Sequence, residues 1–125
     1  GLGTTIWSPL GSGILTGKYN DGMAESTRLS MDGMEWLKDK SLVEENLEKV
    51  RKLTGLAKEI GTTMPKLAIA WCLKNENVST AILGASKVSQ LEETLTAIDD
   101  VQLLTPEVME KIDGILDNEP VRPAF

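Results

Sequence analysis

Thirteen consecutive residues near the start of the chain, Trp7-Ser8-Pro9-Leu10-Gly11-Ser12-Gly13-Ile14-Leu15-Thr16-Gly17-Lys18-Tyr19, carry two serines, three glycines and one lone cation between two aromatic rings. They read as a short buried strand running into a flexible glycine loop that ends on Lys18. Such a unit suits an anionic ligand gripped beyond the carboxyl end of a strand. Generic phosphate motifs do not fit it. The dinucleotide fingerprint needs glycine at its first, third and sixth positions, and counted from Gly11 the sixth is Thr16. A P-loop needs glycine five residues before Gly17-Lys18 and a hydroxyl residue after the lysine, where this chain has Ser12 and Tyr19. Taken bare, the glycines fit turns and close packing at least as well as a ligand cradle.

The elements that must position this loop alternate strand, loop, helix, helix, strand, helix, helix. Thr4 to Ser8 is β-branched and aromatic, and Pro9 closes the strand because it has no N–H for a ladder. Residues from about Gly17 to Lys40 lack periodicity and predict a long excursion with a short helical turn at most; such loops in compact domains are usually functional or mobile. Ser41-Leu42-Val43-Glu44 reads as a capping box opening a helix that buries Val43, Leu47, Val50, Ala57 and Ile60 and stops at Gly61. A second helix opens at Thr63, with Pro65 in its first turn and a nearly continuous apolar run from Leu67 to Leu73. Ser79 to Gly84 is short and apolar without alternation, the pattern of a strand covered on both faces in a parallel sheet. Ser86 is a natural N-cap for a helix burying Val88, Leu91, Leu95 and Ile98. Thr105-Pro106-Glu107 begins a last helix with Val108, Met109, Ile112, Ile115 and Leu116 inside, before an extended tail from Asn118 to Pro123.

Two strands separated by helices form a βα-βα pattern, which builds either a doubly wound parallel sheet or a (β/α) barrel. In both, ligands sit beyond the carboxyl ends of the strands, here Ser8 to Lys18 and Gly84 to Gln90.

Composition bounds the chemistry. The chain has 125 residues, 41% hydrophobic and 26% charged, enough for one domain with a core and no interdomain linker. Its net charge of −6 disfavours nonspecific binding to nucleic acid or anionic membrane, although a local basic site can still hold one phosphorylated ligand. No apolar run approaches the roughly 20 residues that span a bilayer, so no membrane insertion is expected. With no histidine and a single cysteine, zinc sites and Ser/His or Cys/His nucleophilic machinery are excluded within this chain, and no metal is expected. Cys72 lies in an apolar run and reads as a small core residue. One unpaired cysteine and no secretion signal fit a reducing, cytoplasmic setting, where Asn77-Val78-Ser79 is not expected to be glycosylated. The chain opens on Gly1 and reaches its loop almost at once, so the site is expected to be half of a larger one.

Three ordered blocks resemble aldo-keto reductases: Trp7-Ser8-Pro9-Leu10 with Gly13, Thr16, Gly17, Lys18, Tyr19 and Arg28; Leu67-Ala68-Ile69-Ala70-Trp71-Cys72-Leu73 before Asn77-Val78-Ser79; and Leu83-Gly84-Ala85-Ser86 followed by Gln90-Leu91-Glu92-Glu93. The resemblance covers nearly the whole chain and is strongest to the branch containing the beta subunits of voltage-gated potassium channels. It implies an α/β fold, the C-terminal part of a (β/α)8 TIM barrel, with residues 1–125 forming a fragment of one barrel domain: its last two strands and the helices around them. The implied cofactor is NADP(H), bound at the carboxyl face.

By the same resemblance Trp7 packs against the nicotinamide, where an aromatic face suits a ring that becomes cationic on oxidation. Ser8, Pro9, Leu10, Gly11 and Ser12 match the loop around the pyrophosphate, where small residues let amides approach phosphate oxygens. Lys18 matches the cation that neutralises the pyrophosphate. Arg28 matches the contact to the adenosine 2′-phosphate, which a planar guanidinium holds in two-point fashion and which favours NADPH over NADH. Gly84 and Ser86 match the turn holding that phosphate end at a helix N-terminus, while Gln90 and Glu93 match the adenine contacts one helical turn apart. Thr94 stands where asparagine is usual in this branch, and Ser26 stands where some relatives have an aromatic. The family's catalytic tyrosine, lysine and aspartate belong to the first half of the barrel, and Tyr19 does not match the proton donor, so no residue of this chain is expected to be catalytic. The implied activity is hydride transfer from NADPH to a small aldehyde or ketone. The alternative is a channel-subunit-like regulatory protein that senses redox state, with a homotetramer and the cytoplasmic domain of an ion channel as partners.

Overall fold

The computed structural model describes residues 2–22 and 27–121. Two short strands, β1 (Thr4–Ile6) and β2 (Val78–Ala81), pair in parallel, with Thr4 opposite Val78 and Ile6 opposite Ala81, and an irregularity between Thr4 and Thr5. The Thr4 amide and hydroxyl both donate to the Asn77 carbonyl, which fixes where the pairing starts. Between the strands lie a 3₁₀ segment (Gly11–Thr16), a 3₁₀ turn (Arg28–Ser30) and helices α1 (Glu35–Ser41), α2 (Glu44–Glu59) and α3 (Met64–Lys74). After β2 come α4 (Val88–Leu95), a 3₁₀ stretch (Thr96–Leu103) and α5 (Pro106–Leu116). The molecule is thus a mostly helical α/β unit whose two described strands form an open parallel pair, not a closed barrel.

The core lies on the α2–α3–α5 side. Val50, Leu53, Leu56 and Ala57 of α2 form one buried cluster with Met64, Leu67, Ala68 and Ala70 of α3, with Leu104 just before α5 and with Val108 and Ile112 in it. The three- and four-residue spacing of α2 and α5 produces this, and the small Ala68 and Ala70 let α3 lie close to its neighbours. Lys66 pairs with Asp100 at 3.0 Å in a half-buried position, and the Thr62 hydroxyl donates to the same carboxylate, tying α3 to the 3₁₀ stretch after α4.

Several expectations need correction. Ser41 does not cap α2: it ends α1, its carbonyl accepts from Asn46, and the extended residue before α2 is Val43. Glu44 pairs instead with Arg51 at 2.6 Å, a charge partner the short motif does not reveal. Val43 is exposed, while Leu47 and Ile60 are partly buried against the core. The first strand stops at Ile6, before Trp7 and Ser8. The second runs over Val78–Ala81 rather than from Ser79 to Gly84, and Ser79, Thr80 and Ile82 are exposed. A two-stranded sheet has no neighbours to cover both faces. Likewise Val88, Leu91, Leu95 and Ile98 face solvent, and α4 buries Thr94 instead, with Ala97 just beyond it. The residue before α4 is Lys87, one later than Ser86. Ser26, Arg122 and Pro123 lie outside the described residues.

Candidate functional site

Parallel pairing puts the carboxyl ends of β1 and β2 side by side, so the loops that follow them open on one end of the molecule. The first loop is built from left-handed backbone. Ser8 (φ 54°), Gly11 (φ 54°), Ser12 (φ 59°), Gly13 (φ 99°) and Gly17 (φ 77°) all have positive φ. Two of them are serines, for which this region is uncommon and costly, so the surrounding bonds must hold it. The Gly11 amide donates to the Ser8 carbonyl at 2.9 Å, the Ser12 amide to Ser8 Oγ at 3.2 Å, and the Gly13 amide to the Leu10 carbonyl at 2.9 Å. Thr16 closes the next turn: its hydroxyl donates to the Gly13 carbonyl at 2.7 Å and accepts from the Lys18 amide at 3.3 Å.

That turn returns Lys18 to the loop. A methyl group on Gly13 would stand 2.9 Å from Lys18 Nζ, so the ammonium lies against a position that only glycine leaves open. Between Trp7 and Asn20 there is no acidic side chain to neutralise it. The chain beyond is stapled to α2, where Arg51 Nε donates to the Asn20 carbonyl at 2.9 Å and Asn20 Nδ2 to Thr54 Oγ1 at 3.2 Å. Trp7, 83% exposed, stands just past the end of β1. Pro9 is buried, and Leu10 packs against the core.

The second loop is less crowded. A Cβ on Gly84 would meet nothing within 4 Å. Gln90 Oε1 accepts from the Ser86 amide at 3.0 Å, the Ser86 hydroxyl at 3.1 Å and the Lys87 amide at 3.3 Å, so this side chain satisfies amides at the start of α4. Glu93 Oε1 accepts from the Thr63 hydroxyl at 2.8 Å. Gln90 and Glu93 therefore share α4 but are tied to different partners. Arg28 opens the 3₁₀ turn Arg28–Ser30, and its side chain lies outside the described part. Thr63, a helix start by sequence, and Tyr19, no match to a proton donor, gain partners only through the fold: Glu93 and the Lys18 ammonium.

The family model for the aldo/keto reductase family matches residues 1–117. The chain belongs to the aldo/keto reductase family. Among curated relatives it is 47% identical over 124 residues to a protein of Arabidopsis thaliana described as a probable voltage-gated potassium channel subunit beta, covering 98% of this chain and 38% of that protein. A protein of Oryza sativa subsp. japonica with the same description is 46% identical over 123 residues, again covering 98% of this chain and 38% of the relative. The chain thus spans less than two-fifths of the length of the family members it resembles.

Among the described residues, no helix of this family member is long and apolar enough to cross a membrane, and no group of three or more acidic or cysteine side chains is placed to hold a metal ion. An apolar cavity of about 230 Å³ lies beneath the first loop, lined by Pro9, Leu15, Met64, Leu67, Trp71 and Leu116 among others. Cys72 also lines it, and burial pushes its thiol above the usual range. The thiol is therefore protonated at neutral pH, and since the thiolate is the nucleophile, iodoacetamide is expected to label Cys72 more slowly than a free thiol at pH 7.5. The rate should climb only as the pH rises past the ordinary cysteine range. Labelling as fast as a free thiol would show that the site is open to water.

Proposed function

We propose that this chain is the cofactor-binding C-terminal part of an NADPH-dependent aldo-keto reductase, contributing the last two strands of one (β/α)8 barrel domain. The observation that carries this reading is the Lys18 ammonium folded back over Gly13, in a loop without acidic side chains at the carboxyl end of β1. A cation held over small residues fits a pyrophosphate, because glycine leaves room for the anion and no acidic side chain lies between Trp7 and Asn20 to compete for the charge. When bound, NADPH supplies the hydride for reduction of an aldehyde or ketone.

In this reading the chain holds and orients the cofactor. Ser8, Pro9, Leu10, Gly11 and Ser12 shape the wall along the pyrophosphate, Lys18 offsets its charge, and Trp7 offers a flat face to the nicotinamide. Gly84 and Ser86 flank the open space for the 2′-phosphate end, with Arg28 as its guanidinium partner. Gln90 retains its amide NH₂ and Glu93 its second carboxylate oxygen for adenine, since one oxygen of each is bonded within the chain. None of these groups moves a proton to the substrate, so the catalytic residues lie outside this chain.

Fluorescence titration of the full-length protein tests the reading. Saturable NADPH binding, tighter than NADH binding, is expected, with weak or no binding by the 125-residue chain alone. Failure of the full-length protein to bind either dinucleotide overturns it. The relatives' descriptions as probable voltage-gated potassium channel beta subunits support a second reading, a channel-associated subunit; the form we propose for it is a redox-sensing homotetramer bound to an ion channel's cytoplasmic domain. Rapid steady-state aldehyde reduction supports the first role, and co-assembly with channel cytoplasmic regions supports the second.

A further inference from the structure

Lys18 and Tyr19 are neighbours in sequence, yet both turn back on the same glycine. Lys18 Nζ stands 5.1 Å from the centroid of the Tyr19 ring, within the range at which an ammonium is attracted by an aromatic face. A Cβ on Gly13 would lie 3.0 Å from Lys18 Cε and 3.8 Å from Tyr19 Cε2, so glycine, ring and lysine stem form one contact. Tyr19 is 1% exposed, and its hydroxyl is buried without a hydrogen-bond partner among the described residues. Burying a phenol without satisfying its oxygen is unfavourable, so the position is better suited to a ring than to a hydroxyl.

We infer that Tyr19 is a positioning residue for Lys18: its ring holds the ammonium over Gly13, ready for the pyrophosphate of the dinucleotide. The inference rests on the cofactor reading proposed above and goes beyond it by naming what aims the cation. Thr16 fixes the Lys18 backbone through the Gly13 carbonyl, and the ring confines the four-carbon stem that backbone geometry leaves free. An ammonium carries three donors, so one side can face the ring while the others meet phosphate oxygens. Confining it before the anion arrives removes part of the ordering cost from the binding step.

A double-mutant cycle on the full-length protein, read as NADPH dissociation constants, tests this. Tyr19→Phe keeps the ring and should bind as wild type does. Tyr19→Leu should weaken binding about two- to fivefold, the size of an exposed cation–π contact. In a Lys18→Met background the same Tyr19→Leu change should cost nothing further, because no cation remains to be aimed. Equal losses with and without Lys18 would show a purely structural role and overturn the inference, as would a loss in Tyr19→Phe equal to that in Tyr19→Leu. If Tyr19→Leu does not fold, the Lys18 ε-methylene protons give the answer by NMR. They should show an upfield ring-current shift in wild type and Tyr19→Phe, and its absence from both overturns the inference. Should the wild-type protein bind no dinucleotide while that shift is present, the cofactor reading has failed and the contact between ring and lysine has not.

Discussion

Lys18→Met is expected to weaken NADPH binding by the full-length protein about ten- to a hundredfold, the equivalent of the roughly 1.5–3 kcal/mol carried by hydrogen bonds to a charged group. The substitution keeps the length and apolar character of the stem, so packing against Gly13 and Tyr19 is retained while the charge is lost. The cost should fall on affinity rather than on folding, because Lys18 is exposed and no carboxylate in its loop depends on it. Added salt should weaken binding of the wild-type protein more than that of the variant, since only the former has this charge contact to screen. Lys18→Arg restores charge but not shape: a planar guanidinium is bulkier than an ammonium where Gly13 already leaves only the space of a missing methyl group. It should recover part of the affinity. An unchanged dissociation constant in Lys18→Met, at low salt, would remove Lys18 from the site.

What the sequence made legible followed from local physics. The periodic apolar faces of α2 and α5 and the Pro65 start of α3 report which residues share a face, and the core residues Val50, Ala57, Leu67, Val108 and Ile112 follow from them, while Leu53 and Leu56 complete that face in the structure. That residues 11–17 form a loop is legible from its glycines, but not that Ser8 and Ser12 share the left-handed backbone. Periodicity does not say what covers a face. The stripe Val88, Leu91, Leu95 and Ile98 is as regular as that of α2, yet it faces solvent rather than the core. Short capping motifs failed for a related reason. Ser41 and Glu44 have the right spacing, but Glu44 finds Arg51 seven residues on, and α1 needs Ser41 for its last turn. Across the site, the contacts that spacing does not reveal are set by the folded backbone: Thr63 to Glu93 joins the start of α3 to α4, and the Lys18 stem meets the Tyr19 ring where both lie against Gly13.

Leu104→Ala is expected to destabilise the fold by about 3–5 kcal/mol and Leu67→Ala by about 2–3 kcal/mol, although both remove the same three carbons from the same core. Leu104 is 1% exposed and among the largest fully buried side chains, held where the 3₁₀ stretch meets α5. It does not border the apolar cavity lined by Pro9, Leu15 and Trp71, so its deletion opens a new void within the buried core that close-packed helices do not fill. Leu67 is 2% exposed but already borders the apolar cavity of about 230 Å³ beneath the loop that follows β1. On that side it has no partner atoms to lose, and truncation merely enlarges an existing space. Urea unfolding followed by far-ultraviolet circular dichroism measures both, with the midpoint falling further for Leu104→Ala and the slope unchanged. Equal midpoints would mean that the cavity beside α3 is filled in solution, by movement of Trp71 or of the tail beyond α5, and that Leu67 is as fully packed as Leu104.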